Sequence, residues 1–138
     1  MAHRDIVAVG LSAGGHRALR ELAAGLPADL PAALLIAMHL PPLRQSVLAE
    51  MLDQAGPLRA SFARDGETIR HGHIHIAPPD VHMLARGGQI FLRRGPTENR
   101  VRPAIDPLFR SAALAYGPRA IGVILSGALD DGTVGLKE

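Results

Sequence analysis

The chain has no cysteine and no tryptophan, and aromatic residues make up 3% of its 138 positions. Without cysteine there are no disulfides, no thiolate metal sites and no cysteine nucleophile, a composition that leaves the compartment open and suits the cytoplasm. Scarce aromatics argue against the stacking platforms that hold single-stranded nucleic acid. Charge of one sign is also scarce. Fifteen Lys and Arg stand against 13 Asp and Glu, for a net charge of +2, with no like-charge block to track a phosphate backbone. No apolar run reaches the ~20 residues of a membrane span, and the opening MAHRDIVAV sets charge directly before a strand, unlike a signal peptide. The expectation is a soluble, cytoplasmic protein that neither binds nucleic acid nor inserts in a membrane. What is present is 47% apolar residues, mostly Ala, Leu, Val and Ile, enough for one core in one domain.

The stretch that organises the rest is Ile6 to Gly15, IVAVGLSAGG. An apolar run ending in glycines before the helix-like His16 to Ala24 reads as a buried strand turning sharply into a helix. Ser12 then stands at the carboxyl end of the first strand, the edge where open α/β sheets bind ligands and where a helix start offers free N–H groups. Gly10-Leu11-Ser12-Ala13-Gly14 fits the nucleophile-elbow pattern G-x-S-x-G. A serine before a helix also fits a plain N-cap. A nucleotide- or phosphate-binding module using the Gly10 to Gly15 loop is the alternative from another class. It lacks the lysine and hydroxyl of a phosphate loop, which are His16 and Arg17 here, and Ser12 stands where a dinucleotide fingerprint needs glycine.

Further apolar runs follow. Ala33 to Met38 reads as a second buried strand, ended by Pro41-Pro42 so that His39 sits at its terminus. Gln45 to Gln54 reads as a helix burying Val47, Leu48, Met51 and Leu52. Leu58 to Ala63 is a third strand. Thr68 to Pro78 alternates, with His71, His73 and His75 on one side and Ile74 and Ile76 on the other. That histidine face is expected to be solvated or loop-covered rather than a zinc site, because no companion ligands stand with it in sequence. His82 is a candidate for a cleft rim. Met83 to Ala85 and Gln89 to Leu92, joined by Gly87-Gly88, form a hairpin appended to a mainly parallel sheet. Asp106 to Tyr116 is a helix with Leu108, Phe109, Ala112, Ala113 and Tyr116 as its apolar stripe. Ala120 to Leu125 is the last buried strand, followed by a loop carrying Asp130 and Asp131.

A serine, a histidine and an acid thus follow three apolar runs. Parallel strands bring such ends to one edge, where the three can converge. An α/β-hydrolase orders them Ser, acid, His; here the acid comes last.

The ordered blocks GLSAGG (Gly10 to Gly15), MHLPP (Met38 to Pro42), GHIHIAPPDVHM (Gly72 to Met83), RPAID (Arg102 to Asp106) and GVILSGALDDG (Gly122 to Gly132) resemble the catalytic domain of the chemotaxis protein-glutamate methylesterases, the CheB family. The resemblance covers nearly the whole of 1–138. It implies a three-layer α/β/α domain with a doubly wound, mainly parallel sheet, a serine esterase that hydrolyses γ-glutamyl methyl esters on the cytoplasmic domain of methylated chemoreceptors, and a related glutamine deamidation. It implies Ser12 as nucleophile, His39 as base, Asp131 as acid with Asp130 its alternative, and backbone N–H donors to the oxyanion from Ala13 and Ala128. No metal or cofactor is implied. Arg100 and Arg102 are candidate contacts to acidic receptor helices, with a solvated loop as the other reading. No receiver domain precedes the first strand, and the chain ends at Lys137-Glu138 where the family continues, so a domain lacking its C-terminal part is expected.

Overall fold

The computed structural model describes residues 5–11, 16–38, 47–79, 81–94 and 105–125. In chain order the elements are β1 (Ile6–Leu11), α1 (His16–Gly25), β2 (Ala33–Met38), α2 (Leu48–Ala55), β3 (Arg59–Phe62), β4 (His73–Ile76), β5 (His82–Arg86), β6 (Gln89–Arg93), α3 (Ile105–Tyr116), a single 3-10 turn (Gly117–Arg119) and β7 (Ala120–Leu125). Five strands form one sheet in the order β3-β4-β2-β1-β7, and every pairing in it is parallel. Among the described residues no helix is long and apolar enough to cross a membrane.

Strand alternation sorts the core into two layers. Val9, Leu11, Leu34, Ile36, Ile74 and Ile76 pack with Leu19 and Ala23 of α1 and Leu48 and Leu52 of α2. On the other face Ile6, Ala8, Leu35 and Ala37 meet Leu108, Ala112 and Tyr116 of α3 and Met83, Ala85 and Ile90 of the hairpin. Each helix presents residues four apart, one stripe per helix. Two expected members of those stripes are outside them. Val47 precedes α2 and is 59% exposed, and Ala113 faces solvent because successive 100° steps carry it past the buried arc of α3.

The hairpin differs from expectation in where it attaches. β5 and β6 pair antiparallel across Gly87 and Gly88, both at positive φ, but they form a separate two-stranded sheet rather than an appendage on the parallel one. Segment 64–72 joins the two sheets. On its hairpin side Gly66 N–H donates to the Ile90 carbonyl (2.7 Å), Ile90 N–H to the Glu67 carbonyl (2.8 Å) and Ile69 N–H to the Gly88 carbonyl (2.8 Å). The alternating stretch Thr68 to Pro78 therefore contains only a four-residue strand, β4, since Thr68 and Ile69 are bonded to the hairpin instead.

Asp5, buried just ahead of β1, ties three distant segments together. Its carboxylate accepts from Arg119 Nε (2.9 Å) and Nη2 (2.8 Å) and from His71 Nε2 (3.0 Å).

Candidate active site

The sheet places three loop origins side by side. β1 lies between β2 and β7, and the register pairs Leu11 with Met38 on one side and with Leu125 on the other. The three strands, six residues each, stop level. With neighbouring strands ~4.8 Å apart, the segments following Leu11, Met38 and Leu125 all start from one short edge. α1 follows β1 on one face of the sheet, while α3, which precedes β7, packs on the other. The winding changes side at β1, the place where open α/β sheets form their crevice.

Ser12, Ala13, His39, Arg100, Arg102, Ala128, Asp130 and Asp131 lie outside the described residues, as do positions 12–15 of the Gly10 to Gly15 loop. Gly10 itself is described, and its environment explains the glycine without a ligand. A Cβ there would stand 2.5 Å from Cγ2 of Ile105, so the missing side chain is what lets the first turn of α3 close on β1. That weakens the phosphate-loop reading, which needs Gly10 for the approach of an anion.

The three histidines expected on one strand face have separate partners. His71 lies before β4 and turns to Asp5. His73 Nε2 is 2.9 Å from Ser61 Oγ on β3. His75, 1% exposed, places Nδ1 2.6 Å from Glu67 Oε2 and accepts the Arg70 N–H at Nε2 (3.2 Å). With one ring nitrogen accepting a backbone N–H, the other carries the proton, so the ring is neutral with no lone pair free for a metal. Burial pushes the His75 pKa below the ordinary histidine value against the pull of Glu67, and burial lowers that of His73 too. Only His75 is covered by the loop; His71 lies off the strand and its side chain is 53% exposed, so the three do not form the single face expected. Among the described residues no group of three or more His, Cys, Asp or Glu is arranged to hold a metal.

Glu67 stands four residues before His71, a helical spacing, but the chain here is not helical and the carboxylate meets His75, eight residues on, instead. The usable signal was Asp65-Gly66, a turn that folds Glu67 back over β4. His82, expected at a cleft rim, is instead the first residue of β5 and only 5% exposed.

With this geometry in place, the relationship to known proteins is direct. The family model described as CheB methylesterase matches residues 7–138. This chain belongs to the CheB methylesterase family. The crystal structure of the Thermotoga maritima CheB methylesterase catalytic domain superposes with a TM-score of 0.87 at 37% identity, over 99% of this chain and 76% of that one. This shared architecture bears out the α/β fold and the mostly parallel sheet with its antiparallel pair. A protein-glutamate methylesterase/protein-glutamine glutaminase of Caulobacter vibrioides is 45% identical over 136 residues, 95% of this chain and 39% of the relative. One from Yersinia pestis is 42% identical over 142 residues, all of this chain and 40% of the relative. One from Methanosarcina mazei is 40% identical over 143 residues, 98% of this chain and 39% of the relative. The chain spans about two-fifths of the length of these CheB methylesterase relatives.

Proposed function

We propose that the chain carries the catalytic residues of a protein-glutamate methylesterase, a serine esterase that converts γ-glutamyl methyl esters on cytoplasmic chemoreceptor domains to glutamate and methanol. In this reading His39 takes the proton of the Ser12 hydroxyl as it attacks the ester carbonyl, and Asp131, with Asp130 as the alternative, orients and stabilises the imidazolium. The N–H groups of Ala13 and Ala128 stabilise the tetrahedral oxyanion. Methoxide leaves with the proton from His39, giving methanol and an acyl ester on Ser12. Water, deprotonated by His39, then cleaves that ester and restores the serine. Glutamine deamidation follows the same path with ammonia as the leaving group. Arg100 and Arg102 serve as contacts to the acidic receptor surface.

The observation that carries the reading is the register of Leu11 with Met38. Ser12 and His39 are the next residues in sequence after two directly paired positions, and a peptide unit spans only about 3.8 Å. The names of the relatives supply the substrate class. The test is methanol release from methylated receptor membranes. Ser12→Ala should lower the rate by roughly 10⁴- to 10⁶-fold while the circular dichroism spectrum stays unchanged. Full activity in Ser12→Ala would overturn the proposal.

A further inference from the structure

A second surface on the domain has the character of a binding site. Between the outer face of the hairpin and α3 lies an open groove of about 400 Å³. Leu84 and Phe91, register partners on β5 and β6, form its floor on one side, and Leu114 of α3 forms the other. Leu114 is 89% exposed and lines the groove with the half-buried Leu84 and Phe91, so the three make one apolar patch rather than a lone surface leucine. The groove is not simply apolar. Arg86 and Arg93, at opposite ends of the hairpin face, both lean over Phe91, with guanidinium carbons 5.7 and 5.4 Å from the ring centroid. Among the described residues no carboxylate lines it, Arg93 has a long, exposed contact to Asp65 at 3.4 Å, and Arg86 has no carboxylate partner.

An apolar floor with cations held at fixed places matches one class of occupant, an amphipathic helix with an apolar ridge and flanking carboxylates. Spacing agrees. Both guanidinium carbons lie near one ring, so they stand at most about 11 Å apart, within the range of carboxylates four to seven residues apart on a helix, about 6 to 10.5 Å along its axis. Position agrees as well. α3 begins against Gly10, the penultimate residue of β1, and at 1.5 Å per residue Leu114 lies ~14 Å further along its axis. The groove lies toward the amino-terminal end of β1, and a helix lying along α3 from Leu114 reaches the edge where the β1 and β2 loops originate in about nine residues.

We infer that this groove docks an acidic amphipathic helix of the substrate protein, held by Arg86 and Arg93 at its flanks and by Leu114, Leu84 and Phe91 along its ridge. The choice of partner rests on the methylesterase reading, since a segment whose esters become glutamates is acidic. The surface itself is defined without it.

The probe is a fluorescein-labelled helical peptide of about 20 residues, with leucines at i, i+3 and i+7 and glutamates seven apart on either flank. Its affinity is read by anisotropy at low and high salt. Binding to the wild-type protein should weaken with salt. The double variant Arg86→Glu/Arg93→Glu and the single variant Leu114→Asp should each lose about tenfold or more in affinity. A lysine-for-glutamate peptide should recover binding to the double variant, a rescue that a folding defect would not produce. The inference is overturned if the wild-type protein does not bind, or if neither variant changes the affinity by more than about twofold. It is also overturned if sedimentation shows a dimer that Leu114→Asp dissociates, or if anionic vesicles alone displace the peptide; a second copy or a lipid surface would then be the occupant. Hydrolysis of a small glutamyl methyl ester, measured in parallel, reports on Ser12 separately. An active esterase that ignores the peptide overturns the groove and leaves the catalytic reading standing.

Discussion

Replacing Asp5 with asparagine should remove most of an acid-sensitive clamp. Arg119 is the largest influence holding the Asp5 carboxyl at about 2, against an ordinary value of 3.8; burial opposes it and His71 assists. At 1.36 kcal/mol per pH unit, that depression corresponds to at most ~2.4 kcal/mol of folding stability. The Asp5 side chain is only 10% exposed, but Arg119 is 46% exposed, and solvent screening on that side reduces the contribution to about 1 to 2 kcal/mol. The sign follows from the depression. The contribution is fully present above 3.8 and is lost as pH falls through about 2. Urea denaturation of wild type and Asp5→Asn, followed by circular dichroism across the acid range, measures it directly. The variant should be about 1 to 2 kcal/mol less stable near neutral pH, and the two proteins should converge at the acid end. Equal stability at neutral pH, or a gap that does not close on acidification, would refute the reasoning.

Other perturbations test separate parts of the molecule. Gly10→Ala puts a methyl group against Ile105 and should cost about 1 to 3 kcal/mol by forcing α3 away from β1, seen as a lower urea midpoint. Tyr116→Phe removes the hydroxyl that accepts the Gly88 N–H at 2.8 Å and should cost about 1 kcal/mol, with faster hydrogen exchange at the hairpin turn. Because burial depresses the His75 pKa below 6.5, stability should decline as pH falls from 6.5 through that lowered value. His75→Gln should shrink this decline to the share due to His73, and an unchanged acid profile would exclude the buried imidazole as its source. His39→Gln should reduce ester hydrolysis by roughly 10³-fold or more with little change in thermal midpoint.

The elements that were legible in the sequence are those with local, unbroken signals. β2 matches the run Ala33 to Met38 residue for residue, because a strand buried on both faces is apolar throughout and prolines end it; β7 matches Ala120 to Leu125 in extent, but it is an edge strand and only partly buried, not the buried strand its apolar run suggests. The hairpin was legible from Gly87-Gly88, where the turn needs positive φ at both positions. What escaped was set by distance. Asp5 and Arg119 are 114 residues apart, and nothing near either one announces the other. The period-2 pattern of Thr68 to Pro78 reads as one strand, yet Thr68 and Ile69 bond to the hairpin and only His73–Ile76 joins the parallel sheet. Val47 and Ala113 fit the buried stripes in sequence and lie outside them in the fold, because apolar residues at the margin of a stripe look the same in sequence whether packing reaches them or not. At the candidate site, the sequence supplied the residue types and their strand-end positions. Only the pairing of Leu11 with Met38 and Leu125 set the three loop origins level.

Segment 64–72 does more than cover His75. Its backbone is bonded to β6, while its two ends continue directly into β3 and β4, so neither sheet can peel away without tearing the other. The parallel sheet and the hairpin should therefore behave as one cooperative unit under denaturant. The amides of Ile69, Ile90 and Ala77 should exchange with a shared opening free energy close to the global one, although they belong to different layers of the molecule.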